Sequence, residues 1–142
     1  MEQYYSYDHH SFDRVKAERG FRMLVANPTL GRLWLIDAGD QLAVGYLAVS
    51  FGFSLECGGR EAFVDELFVL ESLRGKGVGT KAIQHAIAEC AREGISALRL
   101  EVTKENPDAL KLYLKLGFQD LGRHLLTRWI PETHDADNKG KS

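Results

Sequence analysis

The run Arg74-Gly75-Lys76-Gly77-Val78-Gly79-Thr80 is basic and glycine-rich, and it sits between an apolar stretch, Leu67-Phe68-Val69-Leu70, and a helix-forming one. Backbone N–H groups at the start of a helix have no intrahelical partner, and the macrodipole makes that end positive, so an anion held there is stabilised twice over. Gly75, Gly77 and Gly79 let the main chain approach a ligand with no Cβ in the way, while Arg74 and Lys76 add charge. This is the chemistry of a pyrophosphate cradle. The spacing excludes two common ligand loops. No arrangement of these glycines supplies the G-x-x-x-x-G-K-[ST] of a nucleotide-triphosphate loop. In a G-x-G-x-x-G count from Gly75, the third glycine position is Thr80.

The pattern that does fit is R-x-x-G-x-G, from Arg74 to Gly79. A second block, Leu100-Glu101-Val102, then Asn106-Pro107-Asp108-Ala109-Leu110-Lys111-Leu112-Tyr113, then Leu116-Gly117-Phe118, follows at a characteristic distance. Together, across about Leu33 to Trp129, the two blocks resemble the GNAT superfamily of N-acetyltransferases. A weaker resemblance, in Ser50 to Val69 and its Gly-Gly turn, is to diamine acetyltransferases.

The resemblance implies an α/β fold with a mixed sheet and acetyl-CoA as cosubstrate. It implies direct acetyl transfer, within a ternary complex, to a primary amine of a small molecule or a lysine-like side chain. A non-catalytic module that senses acetyl-CoA is the alternative. By the same resemblance the donor is held by the main chain of Leu67, Phe68 and Val69, by Arg74, Gly75, Lys76, Gly77, Val78, Gly79 and Thr80, and by Asn106 at the pantetheine arm. Tyr113, seven residues beyond Asn106 and on the same helix face, protonates the departing thiolate; its ordinary reading is packing with a polar handle.

Acyl transfer to an amine also needs a base or a proton-carrying water chain, because an alkyl ammonium has a pKa near ~10.4. Glu101 lies near the C-terminal end of an expected strand, at the crevice where open α/β sheets place ligands. Glu66 and Asp65 lie in the strand before the loop and, by period-2 counting, point to opposite faces. The family's bulge in this strand leaves open which of the two faces the acceptor, with Glu66 favoured. Each of the three carboxylates could equally be an ordinary solvated group. Tyr7, Asp8, His9, His10, Phe12 and Asp13 occupy the segment that in the family overhangs the acceptor pocket. Adjacent histidines converge poorly on one ion, so no metal site is expected.

These groups must be positioned by regular elements. Helical material is expected from Met1 to Ala26, with Ser11 as an N-cap and Asn27-Pro28 as its stop. Strands are expected over Leu33 to Ala38, Leu42 to Phe53, Ala62 to Leu70 and Ala97 to Val102, with turns at Gly39-Asp40 and Gly58-Gly59. A helix runs from Thr80 to Arg92 and stops at Gly94; another is capped by Asn106, has Pro107 at its first position, and ends at Gly117. Phe118 to Trp129 can supply two last strands around Gly122.

The 142 residues, 44% of them hydrophobic, suffice for a single core, giving one acetyltransferase domain over 1–130 and a polar, disordered tail over 131–142. A net charge of −2 argues against a general nucleic-acid binder. Cys57 and Cys90 form no C-x-x-C pair, and no activating neighbour suggests a covalent intermediate. The N-terminus lacks the pattern of a signal peptide, and the longest apolar stretch, Leu42 to Leu55, is broken and too short to cross a membrane, so a cytoplasmic protein is expected. Family members usually open with a strand before the first helix, and that strand is expected to be missing here. Leu33 to Ala38 is therefore expected to present an open edge and to pair in a homodimer.

Overall fold

The structure, a computed structural model, describes residues 13–132. Three antiparallel strands, β1 (Gly31–Asp37), β2 (Ala43–Ser54) and β3 (Gly59–Val69), form a meander. A short β4 (Ala97–Arg99) joins β3 in parallel, giving the order β1-β2-β3-β4. Helix α1 (Arg14–Ala26) precedes β1, α2 (Val78–Arg92) crosses from β3 to β4, and α3 (Pro107–Lys115) follows. Among the described residues β1 pairs with β2 alone, which leaves its other edge open.

The sheet separates two environments. Leu47 and Val49 of β2 bury against Ile83 and Ala86 of α2, and Val64, Leu67, Leu98, Tyr113 and Phe118 close over them. Ala62, Cys90 and Ile95 make a second, smaller cluster. On the other face, Phe21 of α1 meets the Tyr46 ring edge-on at 5.4 Å, and Tyr46 stacks on Phe68. Helix α1 itself buries no residue fully.

Local signals explain most boundaries. Asn106 Oδ1 accepts the Ala109 N–H at 3.2 Å, with Pro107 at the first helical position where its missing N–H costs nothing. The side chain capping α1 is that of Asp13, which accepts from the Lys16 N–H; Ser11 lies outside the described residues. Asp37 folds the first hairpin by accepting from the N–H groups of Gly39 and Gln41.

Three expectations need correction. Ala97 to Val102 does not form one strand, because β4 ends at Arg99. Its ladder with β3 runs only from Glu61↔Ala97 to Phe63↔Arg99, and just beyond it β3 bulges: Ala48 faces Glu66 while Val49 faces Val64, so Asp65 is an extra residue. A bulge bends its strand and increases the local twist, and here the two parallel strands part. Second, Phe118 to Trp129 holds no strand. A strand needs a ladder partner, and β4 offers three residues. From Gln119 the segment instead runs exposed, tied by Arg123 to Glu56 at 2.7 Å and by Arg19 to Glu132 at 3.2 Å, with Lys16 over the Trp129 ring. Third, the bulge removes the necessity that Asp65 and Glu66 point to opposite faces.

Candidate active site

Where β3 hands over to α2, the loop does what its composition requires. Gly77 is the N-cap of α2 with φ +82°, Gly75 has φ +76°, and neither conformation suits a residue with a Cβ. No side chain caps α2, so the N–H groups of its first turn face outward as orphan donors. Arg74 turns back: its Nε donates to the Val69 carbonyl at 3.0 Å and its guanidinium lies 5.9 Å over the Phe68 ring. The charge is thereby fixed at the junction of strand and loop.

These donors open onto a cavity of about 210 Å³. Leu67 of β3 forms one wall, Leu73 to Gly75 and Gly77 to Thr80 form the rim, and Leu112 and Tyr113 of α3 form the far side. The structure thus brings together Leu67, Arg74, Gly75, Gly77, Val78, Gly79, Thr80 and Tyr113 of the expected site. Leu73 and Leu112 join them unforeseen; Leu112 could have been found as Tyr113's neighbour, Leu73 only from the fold. Lys76, exposed at the loop's crest, and Phe68, Val69 and Asn106 do not line the cavity. Tyr113 is half-buried beside Phe118, with rings 5.7 Å apart, and burial pushes its phenol above the ordinary tyrosine value. It stays protonated throughout the neutral range.

The carboxylates divide. Glu66 is buried, 9% exposed, on the α1 face, and its Oε2 accepts from the Tyr46 hydroxyl at 2.8 Å. Asp65 reaches solvent at the bulge, yet the protein around it desolvates its carboxyl enough to raise its pKa. Glu101 lies two residues past the end of β4 and is exposed. Tyr46 escaped the sequence reading because only the β2–β3 register sets it beside Glu66.

Elsewhere the candidates are quieter. Cys90 is buried and its thiol is pushed up by desolvation, then by Glu93 and Glu89, which suits an inert packing residue. Among the described residues no group of three or more His, Cys, Asp or Glu side chains could hold a metal ion, and no helix is long and apolar enough to cross a membrane. Tyr7, Asp8, His9, His10 and Phe12 lie outside the described residues, as does the tail from 133.

An uncapped helix start and a glycine-lined rim are what the Arg74 to Gly79 motif requires, and the half-buried phenol of Tyr113 lines the same cavity. The model of the acetyltransferase (GNAT) family matches residues 1–118. The chain belongs to that family. It is 38% identical over 85 residues to thialysine N-epsilon-acetyltransferase of Mus musculus, covering 60% of this chain and 49% of that protein. It is 32% identical over 88 residues to an uncharacterized N-acetyltransferase of Methanocaldococcus jannaschii, covering 61% and 38%. The chain thus spans about half the length, or less, of these curated relatives. Among solved structures, an integron cassette protein from the mobile metagenome of Cole Harbour salt marsh superposes with TM-score 0.77 at 36% identity, over 93% of this chain and 82% of that one. A possible acetyltransferase from Clostridium difficile 630 shares the fold, with TM-score 0.78 at 18% identity over 92% and 86%. Family and relatives' names together support an acyl-transferring enzyme.

Proposed function

We propose that the chain transfers the acetyl group of acetyl-CoA directly to a primary amine of a small molecule or of a lysine-like side chain. The observation that carries this reading is the single cavity on which the orphan donors of α2 and the phenol of Tyr113 both open. The residues fit the donor: the loop offers N–H groups to a pyrophosphate, and the cavity wall is the apolar side chain of Leu67. The name of the thialysine N-epsilon-acetyltransferase relative supports a lysine-like amine as acceptor class.

When bound, acetyl-CoA supplies the thioester and a thiolate leaving group. The chain's residues do the rest. The α2 N-terminus and Gly75 to Thr80 bind the phosphates. Asn106, whose side-chain oxygen is committed to its cap, keeps its amide NH2 as the donor for the pantetheine arm. Beyond Phe63 β3 and β4 no longer pair, and in our reading the acyl end enters the slot between them, where main-chain groups of Leu67, Phe68 and Val69 hold the thioester carbonyl. Tyr113 donates a proton from the cavity side as the thiolate leaves. Glu66, on the opposite face, accepts the proton of the amine; Glu101 at the mouth is the competing base. Carboxylates on that face also favour a cationic amine. A second copy pairing along the open edge of β1, and cytoplasmic residence, belong to the same proposal.

The test has two parts. CoA and acetyl-CoA should each raise the melting temperature while NAD and ATP do not; ligand at 100 times its Kd corresponds to about 2.7 kcal/mol. Thiol release from acetyl-CoA should then depend on an amine drawn from a panel of lysine analogues, polyamines and aminoglycosides. Equal protection by NAD, or protection by CoA with no amine-dependent release across the panel, would reject the reading.

A further inference from the structure

We propose that Tyr46 is a positioning residue for the reaction, holding the Glu66 carboxylate ionised and aimed as the proton acceptor on the α1 face. The inference rests on the function proposed above and assigns Tyr46 a part in it.

Glu66 is the buried charged side chain among the described residues. A carboxylate out of water is costly unless hydrogen-bonded, and an apolar residue of similar size would serve packing better. Its placement follows from backbone register. The extra residue at Asp65 turns Glu66 onto the face it shares with Tyr46 and Phe68, opposite Ala48, whose single methyl leaves room above the carboxylate. Tyr46 faces Phe68, so it is the diagonal cross-strand neighbour of Glu66, at the distance a long side chain bridges. Its hydroxyl donates to Oε2 at 2.8 Å.

The donor is held from two sides. The Tyr46 ring stacks on Phe68 at 5.7 Å with an interplanar angle of 29°, and Phe21 of α1 meets it edge-on at 5.4 Å. Such a clamp fixes where the hydroxyl points, and through it which way the carboxylate faces. Charged groups near the pair among the described residues include Asp65, next along β3, and Arg74, whose guanidinium lies over the Phe68 ring. A hydrogen bond to the ionised form lowers a carboxyl's pKa, so Tyr46 keeps Glu66 able to accept a proton at lower pH.

Tyr46→Phe removes the donor and keeps both ring contacts. In the ligand-free protein labelled with 13C at glutamate carboxyls, with Glu66 assigned by comparison with E66Q, the Glu66 titration midpoint should rise by about one pH unit. Replacing the tyrosines by 3-fluorotyrosine, a stronger donor, should move it the other way, and this arm stands if Y46F folds poorly. With acetyl-CoA and the best amine of the panel, the acid limb of kcat/KM should shift upward with the midpoint in Y46F. In an E66Q background, Y46F should change the rate less than about twofold. A Glu66 midpoint unmoved in both Y46F and the fluorotyrosine protein overturns the proposal and leaves the proposed function standing. An acid limb that E66Q does not shift upward overturns it too, by moving the base elsewhere, while thermal protection by CoA would still support the donor site.

Discussion

The two faces of the sheet are built on different terms. On the α2/α3 face the cavity is made mostly by main chain: positive-φ glycines, orphan N–H groups and an apolar wall, with Tyr113 the one ionisable side chain in it besides Arg74. On the α1 face the chemistry lies in side chains, Glu66 and Tyr46, whose juxtaposition depends on a one-residue bulge. A backbone site tolerates substitution of most of its residues, whereas a side-chain site changes with each one. In the proposed reaction the α2/α3 side therefore suits a ligand common to the family, and the α1 side is where acceptor preference can vary.

Substitutions on the two faces should separate binding from turnover. The largest effect is expected from Tyr113→Phe, which keeps its packing on Phe118 and loses the proton. Turnover should fall about a hundredfold or more, with acetyl-CoA affinity by calorimetry unchanged. Because burial raises the Tyr113 pKa, the wild-type rate should show no basic limb from this group below pH 10. A rate within threefold of wild type, with chemistry limiting, would return Tyr113 to packing.

Across the sheet, Glu66→Gln should lower kcat/KM about tenfold at pH 7 and shift the acid limb to higher pH, the loss shrinking at high pH where more amine is already deprotonated. The matched Glu101→Gln should leave that limb in place. The reverse result would put the base at the mouth of the slot.

On the donor side, Gly77→Ala must hold φ +82° against a strain of about 1–2 kcal/mol or rebuild the loop. Acetyl-CoA binding should weaken about tenfold while the pH profile keeps its shape. A shifted pH profile would show that the two faces are not separable.

At the sheet's edge, Leu35 is 69% exposed on β1. Leu35→Lys should convert a dimer into a monomer in sedimentation, without altering CoA protection. A wild-type monomer would contradict the edge pairing.

The smallest effect concerns Asp65. Desolvation raises its folded pKa above the unfolded 3.8, so its stabilising contribution is complete below pH 3.8 and is lost as pH rises through the folded value. Asp65→Asn should accordingly melt slightly higher than wild type at pH 7 and no differently at pH 3. A lower melting temperature at pH 7 would mean that the ionised carboxylate is held by a favourable contact.

The corrections share one origin. Asn106-Pro107 and Gly117 mark both ends of α3, and the Arg74 to Gly79 spacing marks the start of α2, because capping and left-handed φ are settled within a few residues. Strands carry no such local terminus. The alternation Leu98, Leu100, Val102 reads as a strand to Val102, yet β4 stops at Arg99 where its neighbour turns away. Likewise the two strands expected around Gly122, over Phe118 to Trp129, find no edge to join.

By itself the sequence determined the local structure of the proposed donor site: its glycines, its helix start and the N-cap seven residues before Tyr113 all follow from local backbone physics. Only the tertiary structure decided which carboxylate is buried and what holds it. Side chains in a strand alternate with period two, so a single inserted residue at Asp65 reassigns every face beyond it. That insertion is defined by the pairing of Ala48 with Glu66 and Val49 with Val64, a relation between strands that neither strand's own residues contain.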